Sequence, residues 1–87
     1  MKREELNSKV VAILHECLMD DEIAINEGAN LADDLGLDSM GFVDLTVKIE
    51  EEFNIEVSEA EGAAIKTYDD VVNLVIAKLS EQNIEIA

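Results

Sequence analysis

The chain has 87 residues, of which 48% are hydrophobic and 3% aromatic, and it contains no proline. This length predicts a single domain over residues 1–87 with a thin core over about residues 3–80, and the aliphatic composition favours a small helical bundle over a β-sandwich. Twenty-one acidic side chains against six basic ones give a formal net charge of −15. This charge argues against a nucleic-acid partner and favours basic protein surfaces.

The sequence also narrows the compartment. No apolar run approaches the roughly 20 residues that span a bilayer, and no signal-peptide core follows the first residues. One cysteine, Cys17, excludes an internal disulfide and is typical of a reducing compartment. We therefore expect a cytoplasmic monomer without stable membrane insertion. Because Cys17 lies on an apolar helical stripe, a buried core thiol is favoured over a reactive site.

Residues 3–18 are predicted to form the first helix. Apolar side chains recur there at spacings of three and four, the pattern of one buried helical face: Leu6, Val10, Ile13, Leu14 and Cys17. Residues 19–38 lose this period, which predicts a long loop. Isolated aliphatic side chains should hold the loop on the core: Ile23, Ile25, Leu31, Leu35 and Leu37. A loop of this length in a small domain is usually functional.

A second helix is predicted to begin at Asp38 or Ser39 and to end near Phe53, with Asn54 as its C-terminal cap. Residues 58–65 start with a good cap residue but contain a glycine and three alanines, so any helix there is weak. Residues 67–70 resemble a capping box that opens the last helix, and the tail from about residue 81 to 87 should fray. The predicted fold is an all-α four-helix bundle with three longer helices, one short helix and a long first loop.

The second helix carries two apolar stripes. At about 100° per residue, one arc has the composition of an ordinary core face: Phe42, Leu45, Ile49 and Phe53. Met40, Val43 and Val47 form a separate stripe that is flanked by acidic residues. This second stripe either packs against another side of a crowded bundle or stays partly exposed. If it is exposed, it would dock a basic, hydrophobic patch on a partner.

The acidic residues around positions 33–44 do not have the spacing of a known metal-binding loop. A calcium-binding EF-hand loop that starts at Asp33 needs oxygen ligands at positions 35 and 37, and both are leucine. A loop that starts at Asp38 meets methionine at position 40 and phenylalanine at position 42. The sequence also lacks the cluster of cysteines and histidines that holds zinc. We therefore predict no metal site in this chain.

Ser39 lies at the junction of the long loop and the second helix, and nothing near it in sequence could activate it as a nucleophile. A nucleophile elbow centred there needs glycine at position 37, which is leucine. The single histidine, His15, lies in another segment, and the chain is too short for a hydrolase fold with a Ser-His-Asp triad. The chain is therefore predicted not to be an enzyme. Ser39 is either a helix cap or a residue to which another enzyme attaches a group.

Residues 33–40 read DDLGLDSM, and this string resembles the phosphopantetheine attachment motif of acyl carrier proteins. The similarity continues through VDL at 43–45 and IEEEF at 49–53 into the final helix, and it covers about residues 3–80. The resemblance implies a four-helix bundle in which a phosphopantetheinyl transferase moves 4′-phosphopantetheine from coenzyme A to Ser39. The thiol of that arm would hold acyl groups as thioesters for enzymes of fatty-acid, related lipid or polyketide synthesis.

Three residues of the motif are expected to support Ser39. Gly36 would allow a tight turn and keep bulk away from the transferase, while Leu37, together with Leu35, would anchor the loop. The resemblance implies that Asp38 helps the transferase bind magnesium. Its position before the second helix equally allows it to act as the N-terminal cap.

The resemblance also makes the second helix the docking surface for basic partners, in agreement with the exposed interpretation of its second stripe. The predicted docking residues are Asp38, Met40, Val43, Asp44, Val47, Glu50, Glu51, Val57 and Glu59. The expected partners are a phosphopantetheinyl transferase, an acyl-loading enzyme, and a ketosynthase or acyltransferase with basic docking patches.

Several features leave alternatives open. Gly41, Lys48 and the small residues at 62–64 depart from the family pattern and suggest a specialised carrier. Small residues at 60 and 62–64 either open a pocket mouth or form loosely packed surface. Within the family, a D-alanyl or peptidyl carrier is the alternative, although peptidyl carriers often have histidine where this chain has Asp38. Outside the family, the alternatives are an acidic interaction module that is never modified and, more remotely, a hydrolase.

Overall fold

The computed structural model describes residues 1–20 and 22–84. Four helices follow one another along the chain: α1 (Arg3–Leu18), α2 (Ser39–Phe53), α3 (Glu59–Ala64) and α4 (Tyr68–Glu81). Within the described ranges, β pairing is limited to an isolated antiparallel bridge between Asn30 and Thr67. The predicted all-α bundle of three longer helices and one short helix, with a long loop between the first two, is confirmed.

The core is mainly aliphatic and is shared by α1, α2 and α4. The side chains that these three helices bury are Leu6, Val10, Ile13, Leu14, Leu45, Ile49, Phe53, Tyr68, Val71, Val72, Val75 and Leu79. Burial of one such aliphatic side chain contributes about 1.5–3 kcal/mol relative to exposure, so these faces drive the packing. Ion pairs join Lys9 to Glu52 at 3.3 Å and Lys48 to Glu16 at 3.2 Å. This reversed order of pairing shows that α1 and α2 run antiparallel.

Three helix ends show how local chemistry sets the boundaries. Asn54 caps α2 in the left-handed conformation, with φ 54° and ψ 51°, and its N–H donates to the Glu50 carbonyl. The capping box predicted at residues 67–70 is present: Thr67 Oγ1 accepts the Asp70 N–H at 3.2 Å, and the Asp70 carboxylate accepts the Thr67 N–H at 3.0 Å. Both predictions are confirmed. The left-handed cap of α1, Met19 at φ 55°, was not predicted because methionine lacks the usual preference for this conformation.

The weak helix predicted over residues 58–65 is the six-residue α3, and none of its side chains is buried. Its stability comes from its N-terminus. Ser58 Oγ accepts the Glu61 N–H at 3.1 Å, and the Glu61 carboxylate accepts the Ser58 N–H at 3.0 Å. This reciprocal capping box explains why a segment of low helix propensity is helical.

The long loop before α2 is held by the core and by hydrogen bonds. Leu31 and Leu37 are buried, as predicted, and the Leu37 N–H donates to the Leu31 carbonyl at 2.8 Å. The Asn30 side chain accepts the N–H groups of Ala32 and Asp33 at 3.0 and 2.8 Å. Ile25, in the first half of the loop, and Leu35, near its end, are partly buried against the core, and Ile23 is also partly buried. Backbone and side-chain hydrogen bonds, as well as single aliphatic side chains, therefore hold residues 30–37 of the loop.

Two side chains assigned to the core by their spacing are only half-buried. Cys17 packs at the edge of the core, and its thiol donates to the Asp44 carboxylate at 3.6 Å. Burial, together with the Asp44 carboxylate, raises the pKa of the Cys17 thiol to about 11, so the thiol stays protonated at neutral pH. Phe42 is the second correction, since it lies against the core on one side and borders a surface groove on the other.

Residues 82 and 84, at the start of the tail that is predicted to fray, make hydrogen bonds. The Gln82 side-chain amide donates to the Asn54 carbonyl at 2.9 Å, and the Ile84 N–H donates to the Leu79 carbonyl at 2.9 Å. The first bond ties the end of α4 to the end of α2, and the second closes the C-terminal end of α4 on itself. Fraying of residues 85–87 concerns a segment that lies outside the described residues.

Asp70 should stabilise the fold in a pH-dependent way. Its carboxylate accepts the N–H groups of Lys66 and Thr67, both at 3.0 Å, and these bonds lower the pKa of Asp70 below its ordinary value of 3.8. A lowered pKa stabilises the folded protein fully above the unfolded pKa, and this contribution is lost as the pH falls through the folded value. We expect Asp70→Asn to lower the melting temperature at pH 7, with a difference from wild type that shrinks below about pH 4.

Asp69→Asn is the matched control, because it removes the same charge one residue away in the same helical turn. Thermal unfolding by circular dichroism between pH 7 and pH 3 measures the two differences. A difference for Asp70→Asn that stays constant with pH, or that equals the difference for Asp69→Asn throughout, would contradict this role.

Candidate functional site

The chain presents Ser39 as the first residue of α2, exposed to solvent. The preceding residue, Asp38, has an extended backbone and caps the helix: its Oδ1 accepts the Gly41 N–H at 2.7 Å. The Asp38 carbonyl accepts the Phe42 N–H at 2.9 Å, which starts the helical hydrogen bonds. A hydroxyl in this place lies at the positive end of a helix of 15 residues, a setting that favours a phosphate group.

The turn before Ser39 depends on Gly36 and Leu37. Gly36 has φ +79°, a backbone conformation that favours glycine, although a Cβ there would meet no atom within 4 Å. Backbone conformation rather than space therefore requires glycine at this position. Leu37 is buried while its neighbours Asp38 and Ser39 are exposed, so the chain leaves the core between positions 37 and 38.

Gly41 leaves space for the Leu37 side chain, a steric role that helix propensity alone does not show. A Cβ at this position would lie 2.6 Å from Leu37 Cδ1 and 3.0 Å from Leu37 Cγ, both far inside contact distance. The absence of a side chain lets Leu37 pack under the first turn of α2. The sequence shows Gly41 only as a departure from the family pattern that lowers helix propensity by about 1 kcal/mol, because spacing along the chain does not reveal this contact.

The second apolar stripe of α2 is exposed. The exposed fraction is 81% for Met40, 66% for Val43 and 44% for Val47. The interpretation in which this stripe packs against another side of the bundle is therefore wrong. The opposite face, with Leu45 and Ile49, is buried, so α2 presents one apolar face to the core and a second one to solvent.

The acidic residues around this stripe have different surroundings. Asp44, Glu51 and Glu59 are exposed. Glu50 is partly buried, and its carboxylate accepts the Val57 N–H at 3.1 Å, which holds the segment between α2 and α3. Lys48 is paired with Glu16 of α1, so its positive charge is neutralised on the α1 side of the helix.

An open groove of about 510 Å³ lies between α2 and α3, and Ser39 is one of its lining residues. Its lining is mainly apolar, with Phe42, Val43 and Val47 from α2 facing Val57 and Ala63. Gly62 also lines this groove, whereas Ala60 and Ala64 do not. Among the small residues of α3, Gly62 and Ala63 therefore border the groove.

No activating base is paired with Ser39 in the described hydrogen bonds. The single histidine, His15, places its Nε2 3.0 Å from the Ile23 carbonyl oxygen and so holds the start of the long loop. The site thus has a displayed hydroxyl, a helix N-terminus, an apolar groove and an acid-edged apolar stripe. It can accept a group that another enzyme transfers, and it can shelter an apolar chain beside that group.

Comparison with known proteins decides what this arrangement is. The family model described as a phosphopantetheine attachment site matches residues 8–75. The chain belongs to the acyl carrier protein family. It is 44% identical over 77 residues to an acyl carrier protein of Thermotoga maritima, covering 88% of this chain and 95% of that protein. It is 39% identical over 80 residues to an acyl carrier protein of Petrotoga mobilis, covering 92% of this chain and 94% of that protein.

A solved structure gives the same result for the fold. The crystal structure of an acyl carrier protein from Thermotoga maritima superposes with a TM-score of 0.80 at 31% identity, covering 92% of this chain and 93% of that one. As a member of this family, the chain is a non-catalytic carrier with a covalently attached phosphopantetheine, and it interacts with modifying and acyl-handling enzymes. The exposed serine hydroxyl at the start of α2 fits a phosphodiester of this kind.

Among residues 1–20 and 22–84, no helix combines the length and the apolar character needed to cross a bilayer.

Asp38 should stabilise the start of α2. Asp38→Ala removes the acceptor of the 2.7 Å bond from Gly41 and should lower the free energy of unfolding by about 1 kcal/mol, the usual effect of losing an N-terminal cap. Asp38→Asn retains a side-chain oxygen in the same place and should cost only a few tenths of that. Urea denaturation of the two variants and the wild type measures the difference. Equal losses for both variants would show that the charge of Asp38, rather than its cap, is what matters.

Proposed function

We propose that Ser39 of this carrier protein is the attachment residue and that its arm carries acyl thioesters among enzymes of fatty-acid, related lipid or polyketide synthesis in the cytoplasm. The observation that carries the proposal is the position of Ser39, exposed at the first residue of α2 and on the lining of the apolar groove. When bound, the phosphopantetheine arm supplies the thiol that forms the thioester. The curated relatives are acyl carrier proteins, which favours this function over D-alanyl or peptidyl transfer.

The chain's own residues display the hydroxyl rather than activate it. Ser39 needs no base in this protein, because a phosphopantetheinyl transferase provides the chemistry. Burial of Leu37 and the left-handed conformation of Gly36 fix the position at which the Ser39 hydroxyl is exposed. Asp38 combines two functions in the proposal: it caps α2 through one oxygen, and its exposed carboxylate remains available to the magnesium of the transferase.

The groove between α2 and α3 is the proposed shelter for the acyl chain. It begins at Ser39 and is lined by aliphatic and aromatic carbon from Phe42, Val43 and Ile65. Transfer of each methylene group of an acyl chain from water to such a lining contributes about 0.8 kcal/mol. The acyl chain would therefore favour the groove over solvent whenever no partner enzyme is bound.

The docking surface is proposed to be the exposed face of α2 with the neighbouring start of α3. It comprises the side chains of Asp38, Met40, Val43, Asp44, Val47, Glu50, Glu51, Val57 and Glu59. The exposed acids would steer a basic patch of the transferase, of an acyl-loading enzyme, or of a ketosynthase or acyltransferase. Met40 and Val43 would supply the apolar contacts. Glu50 is expected to contribute least, since its carboxylate already accepts the Val57 N–H.

Modification of Ser39 is tested by intact mass. After co-expression with a broad phosphopantetheinyl transferase, the wild type should gain the mass of one phosphopantetheine and Ser39→Ala should gain none. Ser58→Ala is the matched control, because Ser58 is also an exposed serine beside a helix N-terminus and should leave the modification unchanged. Asp38→Asn keeps the cap and should slow the modification without unfolding the protein. An unmodified wild-type chain would refute the proposed function.

The docking surface is tested by a charge on its exposed stripe. Val43→Asp should reduce kcat/KM for the transferase by about five- to thirtyfold, the effect of losing a 1–2 kcal/mol interface contact. Because Val43 is 66% exposed, this variant should fold as stably as the wild type. Ala77→Asp is the control, since it adds the same carboxylate at an exposed position of α4. An equal loss in both variants would mean that added charge, and not the stripe, is responsible.

A further inference from the structure

The groove between α2 and α3 has one firmly anchored wall and one weakly anchored wall. α2 buries Leu45, Ile49 and Phe53 in the core, whereas α3 buries none of its own residues. The apolar anchors of α3 lie outside it, in the partly buried Val57 before the helix and the buried Ile65 after it. The position of α3 relative to the core therefore depends on polar contacts to a degree that the position of α2 does not.

One ion pair joins α3 directly to α4. Lys78 Nζ of α4 lies 2.9 Å from Glu61 Oε2, and the side chains of Lys78 and Glu61 are 19% and 35% exposed. The other two described ion pairs that a lysine makes, from Lys9 and from Lys48, both join α1 to α2 and do not involve α3. α4 is held in the core by Val72, Val75 and Leu79, so Lys78 links the weakly anchored side of the groove to a well-anchored helix.

Glu61 is shared between two contacts that use different oxygens. Its Oε1 accepts the Ser58 N–H and closes the capping box of α3, while its Oε2 meets Lys78. The hydrogen bond from Lys78 is the main cause that lowers the pKa of Glu61 to about 2, so the pair is fully charged at neutral pH. The two functions can be separated by mutation, because glutamine also serves as the third residue of a capping box.

We propose that the Glu61–Lys78 pair is a latch that holds α3 at a set distance from α2 and thereby limits the length of acyl chain that the groove accepts. Gly62 and Ala63, directly after Glu61, form the α3 side of the groove. A longer acyl chain needs α3 to move away from α2. Such a movement stretches the 2.9 Å contact between Lys78 and Glu61. The proposal rests on the proposed function for the identity of the acyl chain. The part of the proposal that concerns the position of α3 does not depend on it.

The first test follows α3 in the unmodified protein. Hydrogen exchange should be about two- to fivefold faster at the amides of residues 62–65 in Glu61→Gln and in Lys78→Gln, as expected for the loss of one partly exposed ion pair. Glu61→Gln keeps the capping acceptor, so unfolding of the whole helix does not explain the change. Lys48→Gln is the matched control, since it breaks the pair with Glu16 on α1 and should leave these amides unchanged. Unchanged exchange in both latch variants would overturn the latch.

The second test measures how well the protein shelters acyl chains of two lengths. Octanoyl and hexadecanoyl groups are loaded on the phosphopantetheine arm, and the rate of thioester cleavage by hydroxylamine reports how well each is sheltered. The latch variants should shelter the hexadecanoyl thioester better relative to the octanoyl thioester than the wild type and Lys48→Gln do. An unchanged ratio would overturn the link to chain length. If the wild type is never modified, the proposed function fails while the exchange measurement still decides the latch.

Discussion

Burial of Leu37 is the constraint on which the site depends. The Leu37 side chain is buried in the core, whereas the Ser39 hydroxyl, two residues later, faces solvent. A single tight turn must produce both orientations. The left-handed conformation of Gly36 points Leu37 inward, and the missing side chain of Gly41 leaves room for it beneath α2. The start of α2, and hence the direction of its positive end, is fixed by this packing rather than by helix propensity.

The acidic surplus is used for structure as well as for recognition. Carboxylates accept backbone N–H groups at three helix starts, through Asp38, Glu61 and Asp70. Asp34 does the same in the long loop and Glu50 in the segment between α2 and α3. Each of these bonds satisfies a donor that a short helix or an irregular loop cannot pair with a carbonyl. Three lysines are paired between helices, at Lys9, Lys48 and Lys78. The exposed face of α2 keeps its negative character because Lys48 is turned toward α1.

Local patterns in the sequence predicted what depends on neighbouring residues. The bounds of α1, the left-handed cap at Asn54 and the capping box at Thr67 follow from short-range chemistry, and the structure has all three. The exposure of Val43 and the half-buried state of Cys17 depend on which other helix lies nearby, so periodicity left the first open and misjudged the second. The contact between Gly41 and Leu37 and the bond from Val57 to Glu50 cross between elements. Such contacts have no signature in a single sequence.

The pairing of the long loop with the segment before α4 has a consequence for synthesis of the protein. The Leu31 N–H donates to the Lys66 carbonyl at 2.9 Å, and the Tyr68 N–H donates to the Ala29 carbonyl at 3.0 Å. These contacts join residues far apart in sequence, so they form only when the last third of the chain is available. A nascent chain that ends after α2 would contain the whole attachment motif but not the support that orients its loop. The native setting of Ser39 is therefore completed late in translation, after the segment that leads into α4 has left the ribosome.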